Sequence, residues 1–167
     1  MRIYIAILFV IFANTAFASD CISFGESEFC QVWESDKNDV KTSEYLPNGQ
    51  SLEAWKNMIT VRKYSNKTKL KEVLPNYVNS VKPMFALAPE ILQNEDTSYP
   101  EDVYLLLTLL APDKSRYEYV INRFYSDGND VYSIFYSHKL PFAKEIDFTE
   151  VMENKYKWLE LLRSIEI

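Results

Sequence analysis

The second half of the chain contains three consecutive segments that favour β-strands, and this feature restricts the possible folds more than any other. Residues 103–110 form a dense apolar run, residues 115–125 alternate, and residues 131–138 are rich in aromatic and β-branched side chains. Residues 111–114 and 126–130, which connect them, have the composition of hairpin loops. The sequence therefore predicts an antiparallel meander of three strands.

Further strands are predicted in the first half of the chain. Residues 29–33, 40–45 and 58–64 have strand-like composition, and polar or turn-forming residues separate the first two. Residues 90–95 are an ambiguous candidate just before the meander. These segments predict that the meander belongs to a larger antiparallel sheet.

Two amphipathic helices complete the predicted fold. Residues 70–81 carry an apolar stripe, in which Pro75 predicts a kink or a late start. The second helix is expected to start at Asp147, because Asp147 and Glu150 have the spacing of a capping box. The sequence thus predicts an α+β fold, in which two long helices pack on an antiparallel sheet of about five to six strands, in the order β-β-β-α-β-β-β-α.

The first 18 residues have the organisation of a cleavable secretory signal peptide. Arg2 follows the first methionine, residues 3–12 are apolar, and Ala16 and Ala18 have the spacing of a cleavage site. A retained membrane anchor fits less well, because the apolar run has about half of the roughly 20 residues that a spanning helix needs. We predict that residues 1–18 are removed and that residues 19–167 form a single domain in the periplasm or the secreted medium.

Cys21 and Cys30 are the two cysteines of the chain, and both follow the predicted cleavage site closely. An even pair so close in sequence predicts a disulfide in an oxidising compartment. Two free thiols or a metal-binding pair are the alternatives, although no histidine or further cysteine stands nearby to complete a zinc site. We expect the disulfide to close the loop of residues 22–29 and to hold the N-terminus in place.

The charge balance restricts the class of partner. Without the signal peptide the chain has 17 basic and 24 acidic side chains, a net charge of −7. Phosphate backbones and anionic lipid surfaces repel such a protein, which argues against nucleic acid or membrane as the main partner. The charge favours a basic protein as partner, and no integral membrane span is expected after cleavage.

No sequence motif indicates catalysis, a cofactor or a metal. His138 is the only histidine and lies at the end of a predicted strand, where the neighbouring Ser137 would point to the opposite face. Glycine-rich phosphate loops, HExxH and EF-hand loops do not occur in the sequence. We therefore predict no catalytic residue, no cofactor and no metal ligand, with a small hydrolase that uses His138 or carboxylates as an alternative.

Acidic residues form two clusters in predicted loops, and both clusters are candidate contacts for a basic partner. The first cluster contains a tyrosine, which adds an aromatic contact. An ordinary solubilising surface is the alternative for both clusters. The candidate partner-binding residues are Glu95, Asp96, Tyr99, Glu101 and Asp102 in the first cluster and Asp127 and Asp130 in the second.

Residues 44–60 resemble a pattern in exported, uncharacterised bacterial proteins. A turn of the form Glu-aromatic-x-Pro-x-Gly leads there to a tryptophan and a Met-hydrophobic-Thr strand, and the matching positions are Tyr45, Pro47, Gly49, Trp55 and Met58. The order of elements is also similar to that of PsbP/Mog1-type α/β domains, which are accessory or binding modules. The resemblance implies a bacterial periplasmic setting and transfers no active site, because the matching residues are turn-forming and core-forming types.

Small size, export, acidity and a disulfide together favour a non-enzymatic binding protein. We expect it to capture another protein, as an immunity protein captures its toxin or as an inhibitor captures a basic lysozyme-like enzyme. An accessory subunit of a cell-envelope complex is the first alternative, which rests on the PsbP-like order of elements alone. The small hydrolase is the second alternative.

Overall fold

The computed structural model describes residues 20–95 and 97–166, so the predicted signal peptide lies outside the described residues. One antiparallel sheet contains eight strands in the order β1-β2-β3-β4-β8-β7-β6-β5. The strands are β1 (Cys21–Phe24), β2 (Ser27–Lys37), β3 (Val40–Pro47), β4 (Asn57–Tyr64), β5 (Glu90–Gln93), β6 (Glu101–Leu110), β7 (Arg116–Ser126) and β8 (Val131–Pro141). The helices are α1 (Leu74–Val81) and α2 (Thr149–Arg163), and 3-10 turns at Leu70–Glu72 and Lys82–Met84 flank α1.

Tight turns with left-handed backbone geometry connect the first three strands. Gly25 has a φ of 65° between β1 and β2, while Asn38 and Asp39 have φ values of 54° and 61° between β2 and β3. Glycine, asparagine and aspartate adopt this region more readily than other residues, so the chain reverses here within two residues. The three strands therefore follow one another directly in the sheet.

The meander predicted from the sequence is confirmed. Leu106 of β6 lies opposite Ile121 of β7, which in turn lies opposite Tyr136 of β8. Strand β4 then pairs with β8, with Ile59 opposite Tyr136. This last pairing joins the first half of the chain to the meander.

Each face of the sheet has its own hydrophobic core, because side chains alternate along every strand. On one face, which we call the α2 face, Trp158 and Leu162 of α2 pack in a cluster with Tyr136 of β8. On the opposite α1 face, Val81 of α1 shares a cluster with Phe124 of β7. The meander is consequently the central layer between the two helices.

The expected architecture of five to six strands with two long helices is wrong, since the described part of the chain is mostly sheet, with eight strands and two short helices. Residues 22–29, expected to be a disulfide-closed loop, belong to the hairpin of β1 and β2. The ambiguous residues 90–95 contain the edge strand β5, which pairs with β6. The sequence patterns missed β1 and left β5 ambiguous, because each of these edge strands has only four residues.

Prolines explain why the first helix is shorter than its apolar stripe. Pro75 lies in the first turn of α1, where its missing N–H is tolerated, and Pro83 lies in the 3-10 turn that follows. Regular α-helix is therefore limited to Leu74–Val81. The last helix begins at Thr149, whose N–H donates a hydrogen bond to the Asp147 carboxylate (2.9 Å).

Candidate functional site

A disulfide joins the first two strands of the sheet. Cys21 and Cys30 occupy directly opposite positions of β1 and β2 and are bonded, as the sequence predicts. Beyond the bridge, the Gln31 N–H donates a hydrogen bond to the Asp20 carbonyl (2.9 Å). A short strand at a sheet edge is marginally stable by itself, so the covalent link holds β1 in its register.

Two large apolar side chains lie exposed on β2 just after the disulfide. The pairing of β2 with β3 shifts between Gln31 and Trp33, which makes Val32 the extra residue of a β-bulge. Val32 is 46% exposed and Trp33 is 42% exposed. A bulge redirects the side chains around it, which accounts for a tryptophan that faces solvent on a strand of this sheet.

The part of β2 that carries Trp33 is also an edge of the sheet. Strand β1 pairs with β2 as far as Cys30, and from Trp33 to Lys37 the partner of β2 is β3 alone within the described residues. A free edge presents unpaired backbone groups that can pair with another chain. An exposed tryptophan and a free strand edge therefore occur together.

Residues 20–37, which we call the acidic hairpin, carry five acidic side chains and one lysine, a net charge of −4. Glu34 pairs with Lys41 of β3 (3.0 Å), and this contact is the main cause of the lowered pKa of Glu34. All five acidic residues are exposed: Asp20, Glu26, Glu28, Glu34 and Asp36. The hairpin thus presents carboxylates on both sides of Trp33 in the sequence.

The first acidic cluster predicted from the sequence does not form one surface. Glu95 is exposed, whereas Asp96 lies outside the described residues. Glu101 accepts a hydrogen bond from the Leu70 N–H, so its carboxylate holds the start of the helical segment. Asp102 is only 1% exposed, which corrects its expected place among the contacts of a partner.

Asp102 forms a buried ion pair with Arg123. The guanidinium donates to both carboxylate oxygens, from Nε to Oδ1 (3.2 Å) and from Nη2 to Oδ2 (2.8 Å). Asn94 and Thr97 donate to the same carboxylate, and the Tyr99 ring packs against the guanidinium. The Nη1 atom of Arg123 donates to three carbonyls at the C-terminal end of α2. This network fastens α2 to the meander.

The second predicted cluster, Asp127 and Asp130, stabilises its own turn. The Asp127 carboxylate accepts hydrogen bonds from the N–H groups of Asn129 and Asp130 (both 2.8 Å), which lowers the pKa of Asp127. Asp130 pairs with Lys63 of β4 (2.8 Å) and accepts a hydrogen bond from the Asn66 N–H. Asp127 remains exposed, and Asp130 is half-buried.

His138 lies under α2 on the α2 face and is 1% exposed. Its Nδ1 lies 2.7 Å from Oδ1 of Asn57, the geometry of a hydrogen bond to the amide oxygen, and its Nε2 lies 3.5 Å from Oε2 of Glu150. Burial lowers the pKa of His138, Glu150 opposes this shift, and the Lys56 charge adds to it. The ring also packs against Trp158. These contacts place the histidine inside the core beneath the first turns of α2.

Residues 20–95 and 97–166 contain no group of three or more His, Cys, Asp or Glu side chains that could hold a metal ion. Among the helices of these same ranges, none is long and apolar enough to cross a bilayer.

The fold and the site define a class of protein that is mostly one antiparallel sheet, whose edge carries a disulfide-linked acidic hairpin. A family model matches residues 18–167, so the chain belongs to that family, which is uncharacterised. No curated protein and no solved structure shows significant similarity to the chain. The resemblance of residues 44–60 and the PsbP/Mog1-type fold stay predictions.

The sequence interpretation missed Val32 and Trp33. Residues 29–33 were interpreted as an ordinary strand, and alternation alone does not reveal a bulge, which depends on the pairing with β3. The available signal was the charge distribution, since Lys37 is the only basic residue between positions 20 and 37. That local excess of acidic residues is visible without a structure.

Proposed function

We propose that this protein is a non-enzymatic binding protein of the periplasm or the secreted medium, and that it captures a basic protein with the acidic hairpin. One observation carries the proposal: Trp33 is 42% exposed on a disulfide-linked strand that also carries exposed carboxylates. The disulfide fits an oxidising compartment.

An exposed tryptophan on a rigid strand is suited to be the energetic centre of an interface. Tryptophan is enriched among the residues whose truncation weakens binding most. The disulfide and the bulge hold β2 in a defined shape before binding, so little conformational entropy is lost when a partner covers Val32 and Trp33. The neighbouring strand edge offers backbone groups for additional hydrogen bonds.

The charge of the hairpin supports a basic partner. Exposed carboxylates steer a positively charged protein toward the hairpin and raise the association rate, and salt weakens this effect. An immunity protein against a basic secreted toxin and an inhibitor of a basic lysozyme-like enzyme are two kinds of binding protein that fit these properties.

Affinity purification from the periplasm of the host tests the proposal, with wild type, Trp33→Ala and Tyr156→Ala compared in parallel. Tyr156 is 73% exposed on α2, so its replacement removes an exposed aromatic side chain that does not belong to the hairpin. We expect wild type and Tyr156→Ala to capture one stoichiometric basic partner. Trp33→Ala should bind that purified partner about 30-fold more weakly, as expected for the central residue of an interface.

Charge variants provide a second test with the purified partner. The double variant Glu26→Gln/Glu28→Gln should slow association, whereas Glu145→Gln/Glu153→Gln removes the same charge elsewhere and should have a smaller effect. Equal effects of the two double variants would contradict a role for the hairpin. The absence of any partner, or a partner that Trp33→Ala retains at full affinity, would contradict the proposed function itself.

A further inference from the structure

A concave surface lies on the α1 face, between the ends of β3 and β4 and the helical segment around α1. It encloses about 480 Å³, which is within the range of small-molecule sites. None of residues 20–37 lines this groove, so it is separate from the acidic hairpin. Its charged lining consists of Asp39, Arg62, Lys67 and Glu72, and Tyr64, Val73 and Tyr77 add apolar surface.

Arg62 is the feature of the groove that requires an explanation. Its side chain is half-buried, and its guanidinium lies over the Phe135 ring, 5.1 Å from the ring centroid. Within the described residues Arg62 has no ion pair and no hydrogen bond from its side chain. Burial raises the pKa of Glu44, and the charge of Arg62 opposes this shift, so the two groups interact at a distance without contact. A planar cation therefore lies over an aromatic ring in the groove, and its donors have no protein partner among the described residues.

Hydrogen bonds hold Tyr77, which also lines the groove, in place. The Tyr77 hydroxyl donates a hydrogen bond to the Asn122 side-chain oxygen (2.7 Å), and Asn122 in turn donates to the Leu105 carbonyl (2.8 Å). The Tyr77 ring packs against Phe135, with ring centroids 5.2 Å apart, so Arg62 and Tyr77 lie against the same aromatic ring. A site built in this way does not need to reorganise to accept a ligand.

We infer that this groove binds a small organic monocarboxylate through Arg62. The guanidinium fork matches a carboxylate in shape and charge, and an arginine held over a ring is pre-oriented for such a bidentate contact. Tyr64, Val73 and Tyr77 supply apolar walls for the body of the ligand, and the Asn76 amide lies at the rim. Because Asp39 and Glu72 line the groove together with Arg62 and Lys67, its charges balance, and a singly charged carboxylate fits better than a phosphate.

Two kinds of ligand carry such a carboxylate, a free small acid and a peptide with a free C-terminus. Calorimetric titration of the exported, purified protein separates them, with benzoate as the free acid and acetyl-Gly-Gly-Phe as the peptide. Acetyl-Gly-Gly-Phe-amide is the matched control, because it lacks the negative charge and changes little else. We expect at least one of the two carboxylates to bind and the amide to bind at least tenfold more weakly.

Two arginine variants test the role of Arg62. Arg62→Gln removes one positive charge from the groove, and Arg116→Gln removes the same charge on β7, where Arg116 contacts Glu118 outside the groove. Arg62→Gln should weaken carboxylate binding about tenfold or more, and Arg116→Gln less than twofold. Thermal unfolding of each variant shows that the fold is retained, and Arg62→Lys, which keeps the charge without the fork, should bind with intermediate affinity.

The outcomes separate this inference from the proposed function. Binding of benzoate would identify free acids as ligands, and binding of the peptide alone would identify a chain terminus. Failure of both carboxylates to bind, equal binding of the amide, or full affinity in Arg62→Gln would overturn the inference. Trp33→Ala should bind the carboxylate as wild type does, so loss of protein capture and loss of carboxylate binding are distinguishable.

Discussion

Strands β2 and β7 each have 11 residues, yet β7 buries eight of its side chains and β2 buries one. The difference follows from position, because β7 lies between β6 and β8 near the middle of the sheet, whereas β2 is next to its edge. Helices pack on both faces of the meander to which β7 belongs. The comparison teaches that the length of a strand does not determine how many of its side chains are buried, because its position in the sheet matters as well.

Charged residues in the two strands act in opposite ways. Arg123 of β7 is buried and uses its donors on Asp102 and on the end of α2, so it stabilises the fold. Glu34 and Asp36 of β2 are exposed and leave their carboxylates accessible to solvent. We therefore expect substitutions in β7 to change stability and substitutions in β2 to change binding.

The largest expected effect is that of Arg123→Ala. The substitution leaves Asp102 buried without its cation, so the free energy of unfolding should fall by about 3–5 kcal/mol. Urea unfolding measures this change. Arg123→Lys keeps a charge without the fork and should retain more stability, which keeps the test usable if the alanine variant does not fold. We expect Asp36→Ala to leave the free energy of unfolding unchanged. An equal decrease in Arg123→Ala and Asp36→Ala would contradict the contrast between the two strands.

The same substitution at two tryptophans, one buried and one exposed, sharpens the comparison of the two regions. Trp158 is 7% exposed between α2 and the sheet, so Trp158→Ala should lower the free energy of unfolding by about 3 kcal/mol or more. Trp33→Ala removes a side chain that is largely in solvent and should lower it by less than about 1 kcal/mol. Thermal unfolding of the two variants is the measurement. A larger loss in Trp33→Ala would show that β2 has a structural role that outweighs binding.

The disulfide should have an intermediate effect that is confined to the edge. Cys21→Ser/Cys30→Ser should lower the free energy of unfolding by about 2–3 kcal/mol, as expected for the release of a short closed loop. Hydrogen exchange should show that protection is lost in β1 and β2 and retained in β7. Protection lost equally in all three strands would mean that the edge and the centre unfold as one unit.

The smallest expected effect is a pH dependence that arises under α2. Burial holds the pKa of His138 below its ordinary value of about 6.5, so the unfolded chain takes up a proton at a higher pH than the native protein does. This contribution to stability is complete above about pH 6.5 and decreases as the pH falls toward the native pKa. Urea unfolding at pH 7.5 and 5.5 should show a smaller decrease for His138→Gln than for wild type. Identical decreases would contradict the assignment.

The parts of the fold that depend on neighbouring residues were predictable. The meander follows from alternating segments joined by turn residues, and the bond between Cys21 and Cys30 follows from their short separation. The late start of the first helix at Pro75 was also predictable, but the predicted number of strands was too low, because four-residue segments such as β1 and β5 are too short to show a clear pattern. Edge strands obtain their stability from a partner strand, which no local pattern contains.

The candidate sites were harder to predict than the fold. Asp102 was interpreted as a surface residue because it lies in an acidic run, and its partner Arg123 is distant in sequence. Trp33 was predicted only as part of a strand, and no role was predicted for Arg62 within its own strand. Each of these roles depends on which face of the sheet is covered and on which part of the chain covers it.

Local sequence was sufficient for the strands of the meander, the disulfide and the acidic charge of the hairpin, because these depend on residue types and on contacts a few positions apart. The assembled fold was needed to pair β4 with β8, to bury Asp102, to expose Trp33 and to place Arg62 near Tyr77. Such outcomes arise from contacts between residues far apart in the chain. Their energies depend on packing and burial, which exist only once the elements have come together.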